Sequence, residues 1–74
     1  MQFDHSKLLG RIKECGYTQE GLAEEIGITK ATMSLKLNNK AYFTHPEMEK
    51  IRKILCIARE DVGVYFFTLK VQKN

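Results

Sequence analysis

Residues 18–40, TQEGLAEEIGITKATMSLKLNNK, are the stretch whose parsing decides the fold. Thr18 has the side chain of a helix N-cap. Leu22, Ala23 and Ile26 follow at spacings of three and four, which puts one apolar stripe on the helix it opens. The pattern stops at Gly27, a residue that takes the left-handed conformation of a helix C-terminus without steric cost. Ile28 can plug the corner into a core, and Thr29 can cap a second helix on which Met33 and Leu37 repeat at four-residue spacing. The outward residues of that second helix are Lys30, Ala31, Thr32, Ser34, Leu35 and Lys36. With Asn38, Asn39 and Lys40 added, the run from Thr29 to Lys40 holds three lysines and no carboxylate.

Two short helices joined by a glycine-containing corner form a helix-turn-helix, whose second helix can lie in a DNA major groove. Gln19, Leu22-Ala23, Ile26-Gly27-Ile28 and Met33 resemble the phage repressor and Cro type of this motif, over residues 18–37. The wider pattern Phe3-Asp4, Gly27-Ile28-Thr29, Leu37-Asn38-Asn39-Lys40, Phe43-Thr44 and Tyr65-Phe66-Phe67 is similar to a small phage-encoded family known only as a domain of unknown function with a Cro-like fold. The resemblance implies a transcriptional regulator, a Cro-like repressor of a phage or prophage, that binds a double-stranded DNA operator. Lys30, Ala31, Ser34 and Leu35 then stand at the base-reading positions. Lys30 can donate to guanine, whereas Ala31 and Leu35 offer only apolar contact to a thymine methyl. Leu35 departs from the polar residue often found there, and its alternative is packing under the fourth helix or at a dimer contact. Gln19, Thr29, Thr32, Asn38, Asn39 and Lys40 are the expected phosphate contacts, although Thr29 can also serve only as a cap. A homodimer would present two such helices to half-sites about 34 Å apart.

Outside the motif, Asp4 or Ser6 can cap a first helix ending near Cys15, with Leu8, Ile12 and Cys15 on its apolar face and Gly16 to stop it. Gly10 and Gly21 weaken their helices, which a close approach between the first two would explain. Thr44-His45-Pro46-Glu47 has the residues of a capping box with proline in the first turn. The fourth helix it opens buries Met48, Ile51 and Leu55 and turns Lys50, Arg52 and Lys53 to water. A short fifth helix covers Glu60 to Phe66, and the alternation of Phe67 to Val71 predicts a short strand. A lone strand edge wants a partner. Residues 65–74 are therefore the predicted dimerisation segment, with Phe66, Phe67, Leu69 and Val71 as contacts and closure of the monomer core as the alternative. The expected architecture is a compact all-α, five-helix repressor-like domain.

The 74 residues suffice for one small domain, residues 1–74, and its single core. A net charge of +3 favours a polyanionic partner, and the charge is segregated, with Glu20, Glu24 and Glu25 on the helix before the corner. No apolar run is long enough to span a membrane, and the N-terminus has no leader pattern, so a cytoplasmic protein is expected. Cys15 and Cys56 have no ligand spacing and read as reduced, partly buried packing residues. His5 and His45 lack a nucleophile or metal partner in the pattern. No catalytic residue, metal, cofactor or small-molecule substrate is expected. The rival to DNA binding is a protein-binding module, an antirepressor or assembly factor on the same scaffold, because fold alone does not fix function.

Overall fold

Five helices form where caps and apolar stripes place them: α1 (Ser6–Glu14), α2 (Gln19–Ile26), α3 (Lys30–Leu37), α4 (His45–Ile54) and α5 (Val62–Phe66), with a 3-10 turn at Arg59–Asp61. The computed structural model describes residues 2–71, so residues 72–74 of the predicted dimerisation segment lie outside it. The fold is all-helical. Leu8, Leu22, Met33, Ile51 and Leu55 are wholly buried and Phe66 retains 2% exposure, so α1 to α5 all contribute to one core. Each such side chain contributes about 1.5–3 kcal/mol by leaving water.

The first four helices stop in the same way. A residue with positive φ follows each one, at Gly16 (81°), Gly27 (83°), Asn39 (62°) and Cys56 (54°). The next N–H then reaches back to a carbonyl five residues earlier: Tyr17 to Ile12, Ile28 to Ala23, Lys40 to Leu35 and Ile57 to Arg52. This is the Schellman closure, which satisfies carbonyls the helix leaves open. Two of the four positions are not glycine. Cys56 is accordingly exposed at a left-handed corner, not packed as its neighbourhood in the sequence suggests.

The starts follow the sequence more closely. Thr18, Thr29 and Thr44 each accept an N–H three residues on, and Glu47 returns the bond to the Thr44 N–H at 2.8 Å, completing the capping box. At α1 the cap position falls on His5, while the Asp4 carboxylate accepts the Ser6 N–H at 2.9 Å. Hydrogen bonding from Ser6, through its side chain first and its backbone N–H second, holds the Asp4 carboxyl below its ordinary value. Gly10 faces open space, and a Cβ on Gly21 would meet only Thr18 Oγ1 of its own cap at 3.1 Å. Helix approach explains neither glycine. Arg52, expected in water, is half-buried and bonds both Glu49 oxygens (2.7 and 3.1 Å) and the Ile57 carbonyl (3.3 Å), bracing the corner after α4.

The strand expected over Phe67 to Val71 does not form: Phe67 caps the end of α5, and Leu69 alone makes a bridge, to its own chain. Asp4 N–H donates to the Thr68 carbonyl at 2.6 Å and Lys70 N–H to the Gln2 carbonyl at 3.0 Å, around an antiparallel bridge between Phe3 and Leu69. The N-terminal segment therefore supplies the partner that sequence reasoning sought in a second copy. The only strand pairing among the described residues is this bridge.

Candidate functional site

The α2–α3 pair presents the most distinctive surface. Thr18 Oγ1 holds the Gly21 N–H at 2.9 Å, Gly27 turns the chain, and Thr29 Oγ1 holds the Thr32 N–H at 3.1 Å. Met33 (0% exposed) and Leu37 (7%) anchor α3 inward. The opposite side of α3 then carries the four positions expected to read bases. Lys30, Ala31 and Leu35 are exposed and Ser34 is half-buried. Leu35, whose orientation the sequence left open, faces outward with 49% of its surface exposed.

The expected phosphate contacts do not come together as one set. Gln19 and Lys40 are exposed. Thr29 and Thr32 are engaged with each other, hydroxyl to hydroxyl at 2.9 Å, in the α3 cap. The Asn38 amide donates to the Ser34 carbonyl at 2.8 Å and lies 3.3 Å from Ser34 Oγ. Asn39 is withdrawn altogether. Its Oδ1 accepts the Phe3 N–H and its Nδ2 donates to the Phe3 carbonyl, both at 2.9 Å. A side-chain amide here imitates a strand neighbour and ties the end of α3 to the N-terminal segment, a role that a 36-residue separation hides from the sequence.

Lys36 requires the largest correction. Read as an outward lysine, it is buried, its ammonium paired with Glu47 and 6.0 Å from the centre of the Phe43 ring. Burial pushes the Glu47 carboxyl up, but the bonds from Lys36 and Thr44 outweigh this and hold it below its ordinary value. Phe43 in turn packs edge-on to His5 and Phe66, at 5.8 and 5.4 Å between ring centres. His5 is buried with Nδ1 3.0 Å from the Leu37 carbonyl, so that nitrogen carries the proton. His45 is exposed at the start of α4.

The surface is consequently less basic than its composition. Residues 18–40 contain three glutamates and three lysines, and Lys36 is spent on Glu47. Glu20 of α2 stands 3.9 Å from Lys30, with the two side chains 62% and 70% exposed. Such a pair contributes little to stability, about 0–1 kcal/mol. It does place a carboxylate beside the first base-reading position. Glu24 follows one turn later on the same side of α2 and, like Glu25, is exposed. The acidity of α2 was legible in the sequence, but its adjacency to Lys30 was not.

Of the residues expected at a dimer contact, Phe66 lies inside the protomer and is removed from that role. Phe67 (49%), Leu69 (49%) and Val71 (89%) are exposed. No helix among the described residues is long and apolar enough to cross a membrane.

Comparison with known proteins agrees with this size and architecture. A family described as "Protein of unknown function (DUF739)" matches residues 1–69. Among solved structures, the chain is similar to the modulator of repression (MOR) of the temperate bacteriophage TP901-1 from Lactococcus lactis, determined in solution. The two are 39% identical, with 97% of each chain covered and a TM-score of 0.77. No curated protein matches the chain.

Proposed function

We propose that this chain, which belongs to the DUF739 family, regulates phage repression by docking the outer side of α2 and α3 on a repressor protein. Its similarity to a phage modulator of repression supports the regulatory half of that reading. The observation that carries the protein-binding half is the charge at the α3 surface. Lys36 is turned inward to Glu47, Glu20 stands beside Lys30, and the apolar Leu35 is exposed where a polar base-reading side chain would serve DNA better. A surface that approaches phosphates must release counterions with cations of its own. Here carboxylates of α2 occupy ground that lysines or arginines would hold. Acidic and apolar groups together suit the opposite kind of partner, the basic face with which a repressor meets its operator. Covering that face relieves repression without a catalytic step.

A second reading, recognition of an operator by α3 as a Cro-like repressor, is favoured by one feature. The outward side of α3 itself bears no acid and is flanked by exposed Lys30 and Lys40. The two readings separate in a single set of measurements. The purified chain is offered a random duplex pool at low and moderate salt, and separately the repressor encoded by a phage carrying a DUF739 protein. The expected result is complex formation with the repressor, abolished by Leu35→Lys, with no enrichment of duplexes. Recovery of a palindromic consensus whose binding falls steeply with salt would overturn the proposal in favour of operator recognition.

A further inference from the structure

Inward and outward backbone groups alternate along an antiparallel ladder. The bonds of Asp4 and Lys70 point inward across the bridge between the two termini, which leaves the N–H and C=O of Phe3 and Leu69 pointing outward on opposite edges. At Phe3 the outward groups are taken by the Asn39 amide. At Leu69 they have no partner among the described residues. The Leu69 side chain is half-exposed, and it is flanked along the chain by two further exposed apolar residues, Phe67 at the C-terminus of α5 (φ −125°, ψ 13°) and Val71. Phe3 continues that apolar surface, edge-on to Phe67 at 5.6 Å and to Tyr42 at 6.5 Å between ring centres.

We propose that a second copy of this chain closes the edge, tail against tail, in antiparallel register centred on Leu69. The tail is self-complementary in that register. Leu69 meets its own mate and Thr68 meets Lys70, so no like charges face each other, and Val71 of one copy comes beside the exposed Phe67 side chain where α5 of the other copy ends. Centring on Lys70 instead would set two ammonium groups opposite one another. Centring on Thr68 would draw in Phe66, which is buried in the protomer. The twofold axis lets the outward N–H and C=O of each Leu69 exchange bonds with the other, and an isologous contact of this kind stops at two copies. The surface is separate from the outer side of α2 and α3, so this contact and the repressor contact can fail independently.

Sedimentation of the full chain from about 10 μM to about 1 mM tests the contact over the range of a weak association. The expected result is a reversible dimer. Val71→Lys, at a side chain that is 89% exposed, should weaken it about tenfold or more with the helical circular dichroism unchanged, by setting a charge against Phe67 of the other copy. Register is read separately in a Cys56→Ser background. Leu69→Cys should oxidise to a covalent dimer, because directly opposed residues lie about 5.5 Å apart between Cα atoms. Lys70→Cys should not. A chain that stays monomeric throughout, a dimer indifferent to Val71→Lys, or equal cross-linking at positions 69 and 70 would each overturn the proposal.

Discussion

Replacing Lys36 by methionine removes the ammonium and keeps most of the stem, which leaves the Glu47 carboxylate in a site built around its partner. The two side chains retain only 9% and 15% exposure. Breaking a fully buried pair costs about 3–5 kcal/mol, and the residual access of water here lowers the expectation to about 2–3 kcal/mol. In a domain of this size each kcal/mol moves the melting midpoint by about 4–8 °C, so Lys36→Met should lose about 10–20 °C in calorimetry. Glu47→Gln keeps the acceptor for the Thr44 N–H and removes the charge, and should lose a comparable amount. The double variant should be more stable than the sum of the two losses predicts, because no charge is then stranded. The pH dependence has a definite sign. Glu47 titrates below its ordinary value of 4.5, so its contribution is full above that pH and is lost as pH falls through the lower, folded value. Denaturant midpoints measured from pH 7 to pH 3 should therefore fall less steeply in Glu47→Gln than in the parent. A Lys36→Met protein as stable as the parent, with the same acid limb, would refute the reading of Lys36 as a structural residue.

Asn39→Ala removes both bonds to Phe3 and puts alanine at a φ of 62°, and chemical denaturation should show a loss of about 2–3 kcal/mol. Asn39→Gly removes the bonds but suits the backbone, so it should recover part of that loss; equal losses would mean that the amide contributes nothing. Two backbone substitutions should stabilise: Gly10→Ala in open space on α1 and Cys56→Gly at a φ of 54°, each by about 0.5–1 kcal/mol on thermal melting. Leu35→Lys at an exposed site should change stability by no more than about 0.5 kcal/mol while removing the repressor contact in a titration; loss of folding would place Leu35 in the core instead.

Local chemistry was legible along the chain. A helix start needs one hydroxyl in front of a few N–H groups, and Thr18, Thr29 and Thr44 carry it within three residues of the groups they bind. A core face needs only apolar side chains at helical spacing, and Leu8, Leu22, Met33, Ile51 and Leu55 stand at it. Gly16 and Gly27 announced two of the four left-handed closures, but Asn39 and Cys56 make the same turn without the residue that advertises it. The outward position of Leu35 was open in the sequence because a leucine on a short helix fits either side of the boundary.

The starts of α2, α3 and α4, the faces the helices bury and the all-helical class each depend on residues a turn or so apart, and the sequence alone therefore carried them. Tertiary structure alone decided which polar groups of α3 remain available. Glu47 and Phe43 claim Lys36, Phe3 claims Asn39, and Glu20 is brought to Lys30 across a corner. The pairing of the tail with residues 2–4 was decided in the same way. A hydrogen bond or ion pair between distant residues leaves no periodic trace, because its partners need only be complementary in charge and reach once the helices have packed.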